Sequence, residues 1–291
     1  MPRGYSSVAA GASAAGRILR ARACDRGRRP APYAVPMSSL LDADPLLLLR
    51  TVLGVAVMVL AVMVILRAAG VSLGAQPVLA IGRAIGQLAI ASLVLSGVLS
   101  VPWTAVLVLV LMVSTASATS GGRLRPMPGG RAAAATGILV GGAAAILAVF
   151  ALGLVELSAR HAIAIGGIVI GNAMTASTLA GRSFRSQAQL RAGEVEAWWA
   201  LGATSPVAFA EMARAAVRDA MVPNMDQTRS TGVVTLPGAF IGALFGGASP
   251  LEAARFQIIV LAAIMLGQGV AAVVVTRRLS RMRVLPAEPT G

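Results

Sequence analysis

Long apolar runs constrain this chain more than any other feature of its sequence. From residue 45 onward, seven such runs alternate with connections that carry most of the charged residues. A bilayer core is about 30 Å thick, and a helix that rises about 1.5 Å per residue crosses it in about 20 residues. The runs lie near 45–66, 80–100, 102–118, 132–155, 162–180, 231–247 and 256–276. The sequence therefore predicts an all-α membrane protein with about seven transmembrane helices.

The composition agrees with a membrane location. Hydrophobic residues make up 57% of the chain and charged residues 12%, and the mean hydropathy is +0.80. Because charged residues are normally about a quarter of a soluble domain, these values predict an integral membrane protein. The formal charge of +14 does not indicate nucleic-acid binding, since the arginines are spread between apolar runs and form no patch on a soluble domain. We expect no nucleic-acid partner.

The distribution of arginine predicts the orientation of the helices. If the chain starts outside and alternates, fifteen arginines fall on inside connections, and outside fall only Arg50, Arg160 and Arg255. Cytoplasmic loops of membrane proteins carry an excess of positive residues. We therefore expect a multi-pass protein of the plasma or inner membrane, with its N-terminus outside and its C-terminus inside.

Residues 1–36 disagree with that orientation, because they hold seven arginines against one aspartate and would have to be translocated. One explanation is a mis-assigned start, with translation beginning at Met37. The other is a real Arg-rich extension, either disordered or used in targeting, which lacks the apolar region of a secretory signal. With either explanation, residues 37–291 are predicted to form a single transmembrane domain.

Missing residue types exclude several functions. All 25 basic residues are arginine, and a phosphate-binding P-loop needs a lysine that reaches the β and γ phosphates. The chain therefore cannot be a P-loop ATPase by itself. Cys24 is the sole cysteine, which excludes an internal disulfide and a cysteine-based zinc site. His161 is the sole histidine, which excludes a His-Glu-x-x-His site.

One long polar stretch, residues 182–229, interrupts the apolar pattern with five of the eleven acidic residues and six arginines. We expect a cytoplasmic loop over about 181–230 that contains two short helices. The first includes Glu196 and Trp199 and ends at Gly202, a residue typical of helix C-caps. The second starts at Ser205-Pro206, which suit the N-cap and the first helical position.

The second of these helices separates charged from apolar residues. One face carries Glu211, Arg214 and Arg218. The opposite face carries Phe209, Met212, Ala216 and Ala220. This pattern predicts an amphipathic helix that lies at the membrane surface. Two interpretations of the loop follow: an interfacial anchor with Trp198 and Trp199 in the headgroups, or a coupling element that docks on a cytoplasmic ATPase.

Three glycines spaced four residues apart lie in the predicted sixth span. Gly238, Gly242 and Gly246 would share one helix face, where another helix can approach closely. The alternative is that glycine is simply common in this chain, which contains 32 of them. We favour a packing role. Pro237 precedes the three glycines and predicts a kink or a late helix start.

Polar side chains inside the predicted spans are candidates for a substrate path or for interhelical hydrogen bonds. Asn172 lies near the middle of the fifth span, close to Met174. A buried polar side chain in lipid needs a partner, so it faces the helix bundle or a pathway. The same two interpretations apply to Gln87, Gln257 and Gln268.

Glu156 and His161 are the candidate metal ligands. They lie at the outer ends of the fourth and fifth spans, which a very short loop joins. Carboxylate and imidazole are suitable ligands for a metal ion on the extracytoplasmic side. Two ligands do not make a complete site, and a solvated pair of loop residues is the simpler interpretation.

The polar loop and the residues around it resemble two kinds of permease. Glu196-Ala197 with Ala200-Leu201-Gly202-Ala203 is similar to the loop by which ABC importer permeases contact their ATPase. The distance from Gly202 to Pro223 is longer than in that motif, which points away from an importer. From about residue 45 onward, the chain resembles more closely the FetB-like (UPF0014) permease family of metal-export ABC transporters, which is related to plant aluminium-tolerance membrane proteins.

This second resemblance is strongest from Gly166 onward. Its most specific stretches are 171–174 (Gly-Asn-Ala-Met), 200–204 (Ala-Leu-Gly-Ala-Thr), 222–226 (Val-Pro-Asn-Met-Asp), 236–238 (Leu-Pro-Gly) and 246–253 (Gly-Gly-Ala-Ser-Pro-Leu-Glu-Ala). The family's small polar pattern after Asn-x-Met is matched only loosely by Thr175-Ala176-Ser177. That helix therefore carries less information about the substrate.

The resemblance implies a permease that works with a separate ATP-hydrolysing subunit, with two copies of each, and exports a metal ion such as iron. ATP and Mg²⁺ would be bound by the partner subunit, and this chain would have no catalytic residues. The residues implied in coupling to the ATPase are Glu196, Trp199, Leu201, Gly202, Arg214 and Arg218. The rival function is a secondary transporter or channel, which predicts a charged residue in mid-membrane that the predicted spans lack. A membrane enzyme is third, since no acid/base pair is evident.

Overall fold

The fold is helical throughout its described parts. The computed structural model describes residues 45–98 and 103–286, and every regular element in these ranges is an α-helix. The helices are α1 (Pro45–Ala68), α2 (Gln76–Val98), α3 (Thr104–Arg123), α4 (Gly130–Ala151), α5 (Ala159–Leu190), α6 (Ala192–Ala200), α7 (Ser205–Ala208), α8 (Ala210–Ser230), α9 (Gly238–Phe245) and α10 (Pro250–Leu279). The all-α prediction is confirmed. The prediction about residues 1–36 lies outside the described residues.

Five of the described helices are long and apolar enough to cross a membrane. They are α1 (over Leu49–Ala68), α3, α4, α5 and α10. The predicted span at 80–100 coincides with α2 but extends past the described residues. The structure thus supports a multi-pass membrane protein, whereas the number seven and the N-out, C-in orientation stay predictions.

The chain divides into two compact units, residues 1–88 and 89–291. In the first, the described residues form α1 and the start of α2, joined by a turn over 69–75. The second unit holds the other complete helices. Since the functional argument depends on contacts within that second unit, the remaining description concerns it alone.

Neighbouring contacts give the relative directions of the helices in the second unit. On α3 and α5, Leu109 lies beside Gly166 and Leu124 lies beside Gly181, so these two helices are parallel. Helix α4 runs antiparallel to them, because it begins at the level where α3 ends, with Gly121 next to Arg131. These relations agree with the alternation predicted from the arginines.

Helix α8 also belongs to the bundle and runs antiparallel to α5 and α10. Its Ala220 packs with Ala180 of α5 and Ala272 of α10. Further along α8, the Met221 side chain approaches Gly269, which precedes Ala272 on α10. The apolar face of α8 is therefore covered by two membrane-length helices, while its location at the membrane surface stays a prediction.

The predicted sixth span differs most from the structure. In place of one helix over 231–247, the chain forms a turn and then the eight-residue helix α9, which is too short to cross a bilayer. The turn contains an isolated bridge between Thr231 and Thr235. Pro237 then precedes α9 in an extended conformation, and it has no N–H to donate to an earlier turn.

Helix α5 is longer than predicted. It has 32 residues and so spans about 48 Å, continuing past the predicted span end at 180 to Leu190. The polar stretch therefore begins inside a helix and not in a loop. Its Phe184 and Ala188 are completely buried in a core cluster with Met212 of α8 and Leu279 of α10. This cluster anchors α6 and α7, which connect α5 to α8.

Candidate functional site

The clearest candidate site is the turn between α6 and α7, which we call the α6–α7 turn (residues 201–204). Helix α6 ends at Ala200, and Gly202 follows with φ of +83°. The Gly202 N–H donates to the Trp199 carbonyl at 2.9 Å, and the Ala203 N–H donates to the Trp198 carbonyl at 2.9 Å. This pair of bonds is the Schellman arrangement, which favours glycine at the left-handed position. The C-cap predicted at Gly202 is confirmed.

The α6–α7 turn exposes an apolar side chain. Leu201 is 81% exposed, and Trp198 and Val207 beside it are also exposed. Scattered exposed leucines are ordinary, but these three lie within ten residues of one chain segment. The segment therefore presents an apolar prominence that a partner protein could cover.

Aromatic packing fixes this prominence to the helix bundle. The Trp199 ring meets the Phe209 ring edge-on, with 5.7 Å between centroids and an interplanar angle of 84°. Phe209 in turn contacts Phe184 of α5, with centroids 5.5 Å apart. Such ring pairs contribute about 0.5–1.5 kcal/mol beyond area burial. Through these contacts the α6–α7 turn is attached directly to α5 and α8.

A cleft of about 500 Å³ lies beside the turn. It is lined by Trp199, Ala203, Thr204, Ser205, Pro206, Arg281 and Arg283. The two arginines are exposed and follow the end of α10. Sequence reasoning counted them for orientation and did not assign them to the site, because only the fold brings residues 281–283 next to 199–206. The site thus combines an apolar prominence with a basic cleft.

The remaining residues predicted for coupling lie around this site and on α8. Glu196 is exposed on α6. Arg214 and Arg218 are exposed on α8, opposite the buried face, as the sequence predicted. The Arg214 guanidinium bonds the Glu211 carboxylate one turn earlier, a surface pair that contributes little stability. The coupling role of these residues stays a prediction.

The structure joins two of the polar residues predicted inside the membrane. Gln268 Nε2 of α10 donates to Asn172 Oδ1 of α5 at 3.2 Å. The Asn172 Nδ2 group donates to the Ile168 carbonyl of its own helix at 2.8 Å. The predicted interhelical hydrogen bond therefore exists for this pair, while the substrate-path interpretation stays open.

The other predicted path residues lie in different surroundings. Gln257 is buried on α10, and its Oε1 has no hydrogen-bond partner among the residues that the structure describes. Met174 is half-buried and packs against the apolar cluster of Ala116, Ile138 and Ile170. Gln87 is exposed on α2. None of these three is brought together with Asn172 by a described hydrogen bond, and their place on a path stays a prediction.

The glycines of the predicted packing face have open space around them. A side chain built on Gly238 or Gly242 would meet no atom within 4 Å. Gly246 follows the end of the short helix α9 and is exposed. Among the described residues, no neighbour approaches Gly238 or Gly242 within that distance, so the packing role of the face stays a prediction.

Glu156 and His161 line one cleft of about 630 Å³ together with Glu252 and Arg255. The His161 Nδ1 atom lies 2.9 Å from Ser158 Oγ and 3.1 Å from the Glu156 backbone oxygen. Among the residues that the structure describes, no group of three or more His, Cys, Asp or Glu side chains could hold a metal ion. The metal assignment of this pair stays a prediction.

The long apolar helices define the class of this molecule: a multi-pass, all-helical membrane protein. The sequence model of the uncharacterised protein family UPF0014 matches residues 49–283, and the chain belongs to that family. No solved structure matches the chain.

Curated relatives come from plants and bacteria. The chain is 34% identical to UPF0014 membrane protein STAR2 of Oryza sativa over 200 residues, which cover 68% of this chain and 70% of the relative. It is 31% identical to Protein ALUMINUM SENSITIVE 3 of Arabidopsis thaliana over 208 residues, 70% of this chain and 76% of the relative. It is 31% identical to Probable iron export permease protein FetB of Escherichia coli over 182 residues, 62% of this chain and 70% of the relative.

Proposed function

We propose that this chain is the membrane-spanning permease subunit of an ABC-type exporter that moves a metal ion out of the cell. ATP and Mg²⁺ would be bound by a separate nucleotide-binding subunit, and two permease chains would form the pathway. The Escherichia coli relative is named a probable iron export permease, and this name supports transport out of the cell with a metal ion as the substrate. The absence of lysine supports the need for a partner, because this chain cannot build a P-loop.

The α6–α7 turn carries this proposal. It exposes Leu201 next to a basic cleft, and a rigid cap at Gly202 holds it in place. Burying one leucine side chain contributes about 2 kcal/mol, and basic residues at the rim of an interface add specificity and speed association. These are the properties that a docking element for a soluble ATPase requires.

The aromatic contacts would couple movement of the α6–α7 turn to movement of the helix bundle. Movement of the docked ATPase would displace the α6–α7 turn, and Trp199 and Phe209 would transmit the displacement to Phe184 on α5. Because buried side chains pack at close to crystal density, such a cluster moves as a unit and is not easily deformed. Helices α5, α8 and α10 share this cluster and would therefore move together.

Affinity purification from native membranes tests the proposal. We expect a tagged full-length chain to retain a P-loop ATPase in near-stoichiometric amount, identified by mass spectrometry. In Leu201→Asp, the retained ATPase should fall about tenfold or more, since burying a carboxylate at the interface costs more than the leucine contributed. Leu190→Asp is the matched control, because Leu190 is equally exposed at 80% but lies at the end of α5, outside the α6–α7 turn.

The result also separates this function from its rival. If no ATPase is retained after gentle crosslinking, the α6–α7 turn acts as an interfacial anchor and the protein is an ATPase-independent transporter. If Leu201→Asp and Leu190→Asp lose the ATPase equally, the docking surface lies elsewhere on the polar stretch.

A further inference from the structure

Helix α8 carries one buried polar residue, Asn224, among its described residues, and the packing of α8 on α5 and α10 gives its level in the bundle. Ala220 packs against Ala180 of α5 and Ala272 of α10, which precede Arg182 and Arg277 on those helices. Since α8 runs antiparallel to both helices, each later residue of α8 lies further from those arginines. Asn224 lies four residues, about 6 Å, beyond Ala220 along α8.

The chain does not leave the bundle after Asn224. Helix α8 continues to Ser230, about 15 Å beyond Ala220, and then breaks into the turn at 231–237 before α9. Ala243 of α9 shares a cleft with Glu252 and Phe256, which lie at the start of α10. Together α8, the turn and α9 therefore run from the end of α10 to its beginning, as a discontinuous crossing. Substrate sites of transporters are commonly built on such broken helices.

A directed chain of hydrogen bonds leaves an unpaired oxygen beside this crossing. The amide nitrogen of Asn172 is used by the Ile168 carbonyl, so the Asn172 oxygen must act as the acceptor from Gln268 Nε2. The Gln268 Oε1 atom consequently has no donor left within the described residues. Gln268 is only 5% exposed, so bulk water does not satisfy this oxygen.

Asn224 of α8 also has a buried amide oxygen without a donor in the described part of the chain. Like Gln268, Asn224 is only 5% exposed. Gln268 is one turn before Ala272 on α10, and Asn224 is one turn after Ala220 on α8. Because Ala220 and Ala272 are in contact and the helices are antiparallel, both amides lie one turn from that contact in the same direction. The two unpaired oxygens therefore lie at the same level of the bundle.

An unpaired buried carbonyl oxygen is costly, and native proteins satisfy nearly all of them. Asn224 Oδ1 and Gln268 Oε1 lie at one level of the bundle, and both can only accept hydrogen bonds. A ligand that satisfies them must bring positive charge or hydrogen-bond donors. Neutral carbonyl oxygens can replace the hydration shell of a cation in membrane pathways.

We propose that Asn224 and Gln268, with Asn172 as the positioning residue of Gln268, form a binding site for the transported metal cation on a path lined by α8. The inference rests on the proposed cation cargo and does not depend on the ATPase partner. It assigns the site to a level of the bundle well removed from the outer cleft with Glu156 and His161.

Cysteine protection tests the site directly. Cys24 is the sole cysteine, so Cys24→Ser gives a full-length chain without thiols. In that background we introduce Met221→Cys, since Met221 is half-buried, lies beside Gly269 and leaves both amides intact. A small methanethiosulfonate reagent is then applied to membrane vesicles, with Mn²⁺ as the probe cation. The matched control is Ala220→Cys, which is 2% exposed and packed between α5 and α10.

We expect Met221→Cys to react and Ala220→Cys not to react. Mn²⁺ at ten times its dissociation constant should slow the reaction at position 221 by about tenfold, by occupancy of the site. That protection should vanish when Asn224→Leu and Gln268→Met are added. No reaction at position 221, or no protection by Mn²⁺ in the chain with intact amides, would overturn the proposal.

Stability distinguishes this site from a purely structural role of the amides. Replacing the Asn224 side chain, whose amide oxygen is unpaired, by an apolar group of similar shape is neutral or stabilising, so Asn224→Leu should keep or raise the Tm while transport is lost. Gln268→Met removes the donor to Asn172 Oδ1 and should therefore lower the Tm. Thr276→Val is the control, because its buried hydroxyl is satisfied by carbonyls of its own helix. If transport persists in the double variant, the proposal fails. The ATPase retained on purification should stay unchanged in all these variants, so the result is independent of the docking experiment.

Discussion

Gly141 on α4 and Gly267 on α10 face each other so closely that neither position has room for a side chain. A Cβ atom on Gly141 would lie 2.4 Å from the Gly267 carbonyl oxygen, and one on Gly267 would lie 3.3 Å from the Gly141 carbonyl oxygen. Ala271, one turn further along α10, closes the same contact. The close helix approach expected of glycine in membranes therefore occurs here, whereas no described residue comes within 4 Å of a Cβ atom on Gly238 or Gly242.

Gly141→Val is expected to lower the stability of the bundle by about 1–3 kcal/mol or more, because the new side chain meets backbone atoms that cannot rotate away. The measurement is thermal unfolding of the purified chain in detergent. Gly242→Val is the matched control, since it meets no atom within 4 Å. A greater loss at position 242 than at 141 would contradict the packing of α4 on α10.

Gly202→Ala is expected to weaken transport without preventing membrane insertion. The left-handed backbone at φ +83° costs a residue with a Cβ atom about 1 kcal/mol, so the α6–α7 turn would relax to another conformation. Transport and retained ATPase are both measured. Gly193→Ala in α6 is the control, because it lies in a helix with open space around it and should be tolerated. Equal transport by the two variants would argue against a precise turn geometry.

Charge reversal of the basic cleft should weaken ATPase binding. In Arg281→Glu/Arg283→Glu the retained ATPase is expected to fall several-fold, and the remaining binding should be less sensitive to salt because a favourable charge interaction is gone. Purification at two ionic strengths measures this. Arg125→Glu is the control, since Arg125 is exposed in the α3–α4 connection, outside the cleft. An unchanged salt dependence in the double variant would exclude the cleft from the interface.

Ser249→Ala is expected to destabilise the start of α10. The Ser249 hydroxyl accepts from the Glu252 N–H, and the Glu252 carboxylate accepts from the Ser249 N–H at 3.0 Å, which completes a capping box. Loss of such a cap costs about 0.5–2 kcal/mol. Hydrogen exchange of the first turn of α10 measures the local effect. Ser186→Ala, an exposed position within α5, should leave exchange there unchanged.

Local signals in the sequence were sufficient for much of the candidate site. The glycine C-cap at position 202 and the two faces of α8 depend on residues within a few positions of one another, and both are confirmed. The contribution of Arg281 and Arg283 could not be predicted in this way. It depends on the end of α10 returning to α6, about 80 residues earlier in the chain.

The sixth span shows why apolar content can mislead. Residues 231–247 are apolar enough to suggest a helix, yet the turn with the Thr231–Thr235 bridge and Pro237 limits the helix to α9. The neighbouring α8 is polar enough to suggest a surface location, yet its small residues Ala216 and Ala220 let it pack closely in the bundle. Hydropathy measures preference for lipid, whereas one face of α8 is buried by other helices.

The sequence by itself determined the membrane class, the main helices and the lack of a P-loop lysine, because these depend on composition and on patterns of about 20 residues. Only the tertiary structure decided the course of α8, the contact of Gly141 with Gly267 and the pairing of Asn172 with Gln268. Asn172 and Gln268 are 96 positions apart in the sequence. Contacts at such separations follow from how helix faces fit together, and no local pattern specifies which faces will meet.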